Sequence, residues 1–356
     1  MSIPDLIVDS KLEAVVHPDW VRHTYARRGQ SGKDWKIDVS ETWVRKSRLG
    51  SGGFGTVWLE ECQQPALESS PHVRAVKEIR KDPRQKVDYS RELLVIAKFS
   101  LPMYVPCFVQ SYGWFETTES IYIAMEYMPH GDLKKHLARP LPEDEARTIG
   151  MQVLEGLRYM HENGFVHRDL KPQNILVVSP GPDWLVQISD FGISQRLAEE
   201  ATVTMGQGTM GFMAPEVLGF VKRGSSPFAA DIWSLGALLF FVLTNTIFLK
   251  DPHRVGEFAQ GIEAAADLDN EKLGSIGVSR EALNAYAAFS GLPPTIGRPR
   301  TMPQGIAGLR YLVRLRTKSP PLSEKGGKVP QSKTRPWRPQ RRFRWTHQRH
   351  GVRQCQ

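Results

Sequence analysis

Two sets of residues in this chain have types and spacings suited to chemistry. The first is Gly50-Ser51-Gly52-Gly53-Phe54-Gly55-Thr56-Val57, which follows the pattern G-x-G-x-x-G-x-V. Glycine lets a backbone pass close to a phosphate, and the exposed N–H groups can then bind it. Alone, the pattern fits an ordinary glycine turn or a dinucleotide fingerprint as well. The fingerprint requires a helix after the glycines, whereas Thr56-Val57-Trp58-Leu59 reads as a strand. That order points to a hairpin covering phosphates. The second set is His167-Arg168-Asp169-Leu170-Lys171-Pro172-Gln173-Asn174, followed by Ser189-Asp190-Phe191-Gly192. Its carboxylate and amide oxygens are hard donors of the kind that bind divalent cations. A lone Asp-Phe-Gly is an ordinary turn; the order and spacing behind the longer segment make it more than that.

These residues need elements to position them. Short β-branched or aromatic runs predict strands at Trp43–Arg45, Thr56–Leu59, Arg74–Ile79, Phe108–Tyr112 and Ile121–Met125. Lys77 lies in the third, flanked by Val76 and Ile79. A strand lysine is usually a solvated edge charge, but this one is flanked by apolar residues and follows a glycine hairpin; a lysine held there to bind phosphates would need an acidic partner to fix it. Glu92 is the candidate, on a helical stretch from Tyr89 to Phe99 with Leu93, Ile96 and Ala97 on one face. From residue 129 to about 316 the pattern is mostly helical. Ile149, Val153, Leu157 and Met160 repeat near 3.6 residues in Glu143–Glu162, with Asp144 and Glu145 at its positive end and Gly164 just beyond its last turn. Asp231–Thr244 is apolar nearly all round and is expected to be a buried central helix.

Taken together, these segments resemble a eukaryotic protein kinase of the serine/threonine type, with high specificity over roughly residues 43 to 250. His167–Asn174 is similar to the family's catalytic loop. The resemblance implies an α+β, bilobal fold: a small antiparallel β-sheet N-lobe with one main helix, and a mostly helical C-lobe. It implies ATP and Mg²⁺ as cofactors and protein substrates with Ser or Thr acceptors. It makes Asp169 the acceptor of the hydroxyl proton, with Lys171 steadying the transferring phosphoryl group. Lys77, fixed by Glu92, would hold the ATP phosphates, and Asn174 and Asp190 would ligate the metal. Gly50, Ser51, Gly52, Gly53, Phe54 and Gly55 would cover the nucleotide. Val57, Ala75 and Leu176 would sandwich adenine. Met125 would be the gatekeeper, and Glu126 and Met128 would offer backbone groups to the ring, although these apolar positions also fit plain core packing. Gln173 belongs to the same nucleotide set, as does Asp132, which is equally a surface loop acid. The Leu170-Lys171-Pro172 run and Thr209 match the serine/threonine version of the family. Gly208–Glu216 resembles the end of an activation segment, with Phe212 where many members carry tyrosine. Arg168 suggests organisation by activation-loop phosphorylation at Thr202 or Thr204, or these are unmodified loop threonines. Arg298 or Arg300 could pair with Glu216, in a loose flanking pattern.

Composition limits the alternatives. The 356 residues are 40% hydrophobic and 24% charged, ordinary for a globular chain with a real core. The longest apolar run, Leu235–Leu243, is far short of the ~20 residues a membrane span requires. Cys62, Cys107 and Cys355 have no metal-binding or disulfide spacing, which fits a reducing, cytoplasmic location, with the nucleus as an option. The net charge of +9 comes from residues 317–356, where eleven Lys or Arg face one acid, Glu324. That stretch holds five prolines and few aliphatics, and is expected to be a disordered tail. Its Arg335–Trp345 stretch could bind nucleic acid or an acidic partner, but a solvated extension or an unselected chain end is favoured. Residues 1–42, with a basic patch at Arg22, Arg27 and Arg28, read as an N-terminal extension before a domain spanning 43–316, with lobes of about 43–128 and 129–316. The competing function is a kinase-fold scaffold whose basic tail engages acidic partners. The intact set Lys77, Glu92, Asp169, Asn174 and Asp190 favours the enzyme.

Overall fold

The structure is a computed structural model that describes residues 3–28, 36–52, 55–64, 72–81, 89–191, 195–196, 208–220, 228–248 and 250–259. All belong to the first of the chain's two units, Met1–Thr317. In chain order the first elements are helix α1 (Ile3–Asp9), β1 (Ala14–Val16), β2 (Trp20–Arg28), β3 (Lys36–Gly52), β4 (Gly55–Gln64) and β5 (Val73–Arg80). Helix α2 (Ser90–Phe99), β6 (Ser111–Glu116) and β7 (Ser120–Met125) follow. The seven strands form one antiparallel sheet in the order β1-β2-β3-β4-β5-β7-β6. Side chains alternate across it. One face carries Val76, Phe115, Tyr122 and Ala124 inward against Val21, Trp43 and Cys62. The other packs Trp114, Ile121 and Ile123 against Leu93 of α2.

The expected limit at residue 43 falls inside β3, and the segment before it is part of the same sheet. Residues 10–12 reach the opposite edge: the Leu12 amide donates to Trp114 O at 2.7 Å and the Trp114 amide to Ser10 O at 3.0 Å. Two residues later, β1 pairs with β2. The N-terminal segment therefore links the β6 and β2 edges and covers edge groups otherwise left unpaired. The expected strand Phe108–Tyr112 lies later, at Ser111–Glu116. Phe108 makes only a bridge to Ile188, and the pairing is irregular at Ser111 and Gly113, where Gly113 adopts φ +123°.

The second half contains α3 (Glu143–Glu162), β8 (Phe165–Val166), β9 (Ile175–Ser179), β10 (Leu185–Ile188), β11 (Gln195–Arg196), α4 (Phe228–Thr244) and α5 (Pro252–Ala259). Ile149, Val153, Leu157 and Met160 of α3 are buried against α4 and β10, and Gly164 at φ +77° ends the helix. Helix α4 is buried on nearly every side, Asp231 included. Two short antiparallel pairs, β9–β10 and β8–β11, accompany the helices. Among the described residues, no helix is long and apolar enough to cross a membrane.

Candidate active site

The hairpin β3–β4 sets Gly50 opposite Val57, Ser51 opposite Thr56 and Gly52 opposite Gly55. Gly53 and Phe54 at its tip lie outside the described residues. Gly55 adopts φ +121°, and a Cβ there would collide with the Glu78 carbonyl of β5. Glycine is thus required both by conformation and by the close approach of β5.

Lys77 pairs across β4 with Val57 and across β7 with Ile123, so its side chain leaves the sheet on the α2 side. Its Nζ donates to Glu92 Oε1 at 2.6 Å and to Asp190 Oδ1 at 2.8 Å. Lys77 and Glu92 are both buried. Burial opposes charge on each of them. Lys77 faces two carboxylates and ends well above the ordinary lysine range; Glu92 shares a single cation and is pushed up by burial.

The second half of the site is built by the β9–β10 hairpin. Ile175 pairs with Ile188, so Asn174 and Ser189 flank the same end of it. The Ser189 amide donates to Asn174 O at 2.9 Å, and Asp190 follows. The loop from His167 to Asn174 is tied down by Asp231 of α4. Its carboxylate accepts from the His167 amide at 2.9 Å, the Arg168 amide at 2.8 Å and His161 Nε2 at 2.8 Å. Burial works against the Asp231 charge, but His161 and the other donors outweigh it and hold the carboxyl below its usual range. Those bonds also support Arg168 at φ +73°, in the left-handed region; Asp190 adopts φ +59°. Such residues cost about 1–3 kcal/mol each and persist only where surroundings enforce them. His167 accepts from the Asp169 amide at Nδ1 (3.3 Å), which leaves Nε2–H to donate to Ser189 O (3.1 Å). One imidazole therefore joins the loop to the residue before Asp190. Phe191 is buried near His167, Phe99 and Phe108, which packs this segment beneath α2.

Asp169 stands at the centre. Lys171 Nζ donates to its Oδ2 at 2.6 Å, Thr209 Oγ1 donates to its Oδ1 at 2.7 Å, and Lys171 Nζ also donates to Thr209 Oγ1 at 2.7 Å. Asn174 Nδ2 donates to Asp169 O and Oδ2 at 2.7 and 3.1 Å, which turns its amide oxygen the other way. Asn174 and Asp190 are hard-oxygen donors matching Mg²⁺. Among the described residues no cluster of three or more His, Cys, Asp or Glu could hold a metal alone; two ligands suit Mg²⁺ when phosphates and water complete its shell.

The remaining expected residues lie on β5, at the end of β7 and in the segments that follow it. Ala75 pairs with Met125, and Met125 packs at the edge of the α2 cluster. The Glu126 amide donates to Gln110 O at 2.9 Å, and burial pushes the Glu126 carboxyl above its usual range. Asp132 caps the 3₁₀ turn Leu133–His136, accepting from the Lys135 amide, and bridges to Leu176. Gln173 is exposed on the 3₁₀ turn Pro172–Asn174. Gly192, Thr202, Thr204, Arg298, Arg300 and the tail lie outside the described residues. The segment opening at Asp231 resembles the family's buried helix that anchors the catalytic loop from below; the Asp231 carboxylate as acceptor and His161 as its partner are seen only in the fold. The available signal was a lone carboxylate opening an otherwise apolar helix, a charge that cannot be buried without donors.

Comparison with known proteins agrees with this geometry. A family model described as a protein kinase domain matches residues 43–281. The chain is 30% identical over 240 residues to the ovarian-specific serine/threonine-protein kinase Lok of Drosophila melanogaster, covering 63% of this chain and 49% of that protein. It is 32% identical over 236 residues to calcium/calmodulin-dependent protein kinase type 1 of Macrobrachium nipponense, covering 65% of each. To the serine/threonine-protein kinase ATG1a of Arabidopsis thaliana it is 34% identical over 203 residues, 56% of this chain and 30% of that one. It thus spans about half the length of the first relative and 65% of the second. With the family model matching well over half of the chain, on residues that the fold gathers around Lys77, Asp169 and Asp190, the chain belongs to the protein kinase family.

Proposed function

We propose that this chain transfers the γ-phosphate of ATP to serine or threonine hydroxyls of protein substrates in a Mg²⁺-dependent reaction. The observation carrying this reading is Lys77 bonded to both Glu92 and Asp190, which ties β5, α2 and the end of β10 to one point. The glycine hairpin covers the phosphates and Lys77 binds them. Val57, Ala75 and Leu176 enclose adenine beside the gatekeeper Met125. The Glu126 amide is already donated to Gln110, so the Glu126 carbonyl and the Met128 amide serve the ring. Asp132 and Gln173 sit at the ribose end.

Asn174 and Asp190 would hold Mg²⁺, which when bound offsets phosphate charge. Asp169 orients the acceptor hydroxyl and takes its proton as the oxygen attacks the γ-phosphorus and the bond to ADP breaks. Lys171 lies 2.6 Å from Asp169 and neutralises charge on the moving phosphoryl group. Thr209 holds the Asp169–Lys171 pair in register. The work is positioning and electrostatics in a site formed beforehand.

The test is labelled-phosphate incorporation into a generic basic protein, with and without Mg²⁺. Asp169→Asn is expected to abolish transfer while ATP binding persists. A variant as fast as the parent shows the base assignment to be wrong.

A further inference from the structure

Residues 3–16 lie before the span matched by the family model and have no part in the chemistry above. They nevertheless touch the element that carries Glu92. Helix α1 packs on α2, and Ile7 packs against both the cluster of Leu93, Trp114, Ile121 and Ile123 and the main core. The Ile7 carbonyl is held twice, by Trp114 Nε1 at 2.9 Å and Ser10 Oγ at 3.0 Å. Lys11 reaches Glu116 at 2.8 Å and lies over the Trp114 ring.

The receiving strand is shaped for this segment. A Cβ on Gly113 would lie 2.6 Å from Ser10 O and 2.9 Å from Leu12 Cγ, so only glycine lets the segment approach so closely. Helix α2 in turn depends on packing for its position. It has ten residues and no side-chain N-cap, and helices that short are marginal without tertiary contacts.

We infer that residues 3–16 form a positioning strap for phosphoryl transfer, with Ile7 as the residue that seats α2 so that Glu92 meets Lys77. The inference rests on the kinase reading above. The strap acts through Glu92 and touches no reactant. Loosening it lets α2 shift, and a displacement of about 1 Å at a catalytic group can cost about a hundredfold in rate.

The experiment uses the full chain with Ile7→Ala, the milder Ile7→Val, the conservative Ile7→Leu, and Gly113→Ala. Two readouts are taken: steady-state kinetics, and amide hydrogen exchange in α2 compared with α3. Ile7→Ala and Gly113→Ala are expected to lower kcat about tenfold or more with peptide KM unchanged, and to speed exchange in α2 but not in α3. Ile7→Val falls between, and Ile7→Leu restores both readouts. Unchanged α2 exchange, or α2 and α3 loosening together, overturns the strap. An inactive parent would sink the kinase reading alone, because the exchange comparison needs no turnover. If Ile7→Ala does not fold, Ile7→Val against Ile7→Leu carries the same comparison.

Discussion

Protonation of His23 probes the interior of the sheet most directly. The residue is fully buried on β2, opposite Glu41 of β3. Its Nδ1 lies 3.1 Å from Glu13 O and its Nε2 3.0 Å from Arg74 Nη1. A carbonyl can only accept and a guanidinium can only donate, so the ring is neutral with its hydrogen on Nδ1. A second proton would sit on Nε2, facing Arg74. Arg74 is itself bound by Glu60 of β4 at 2.7 Å and stacked 4.1 Å from the Trp43 ring. Glu41 is occupied by Tyr25 and Trp43, and the Phe115 ring of β6 closes the other side. Burial, then Arg74, push the His23 pKa from 6.5 down to about 4, with Glu41 opposing too weakly to reverse this. Between those values the unfolded chain binds a proton that the folded chain refuses, so stability falls as pH falls. The slope is about 1.4 kcal/mol per pH unit, about 3 kcal/mol in total, and vanishes for this group above pH 6.5 and below pH 4. Urea unfolding of the parent and of His23→Gln, measured from pH 7.5 to 4, gives the difference between the two curves, in which the carboxylates common to both cancel. That difference is expected to narrow toward low pH by about 3 kcal/mol. Two parallel curves would refute the reasoning, because His23 would then bind the proton equally in both states.

Three further outcomes are expected. Gly55→Ala places a Cβ against the Glu78 carbonyl at φ +121°; strain of about 1–3 kcal/mol should distort the hairpin and raise KM for ATP more than it lowers kcat, read from initial rates against ATP concentration. Glu92→Gln removes the charge of one of the two carboxylates bonded to Lys77 and should cut kcat/KM by roughly ten- to a hundredfold; combining it with Lys77→Met should cost no more than Lys77→Met alone, since the pair acts as a unit. Thr209→Val removes the hydroxyl joining Lys171 to Asp169 and should lower kcat about tenfold or more, while Thr209→Ser keeps most of the rate.

Much of the fold is legible in local patterns. The period of Ile149, Val153, Leu157 and Met160, with acids before and Gly164 after, marks α3 at Glu143–Glu162. The N-terminal segment was not legible in this way. Its inward positions include His23, and those of β3 include Glu41, so hydrophobic alternation is broken where it would have marked buried strands. The charge that makes this tolerable, Arg74, lies fifty-one residues further on. The donors to Asp231 were hidden for a related reason: they sit in a loop more than sixty residues earlier.

By itself, the sequence determined which chemical groups are present and in what order: a glycine hairpin, a strand lysine, a helical glutamate, and two aspartates with an asparagine between them. These follow from residue type and local spacing. Only the tertiary structure decided that Lys77 stands 2.8 Å from Asp190, 113 residues away, and that Ile7 rests beneath the helix of Glu92. Such distances depend on how sheet, hairpin and helices pack together, and no local pattern carries that information.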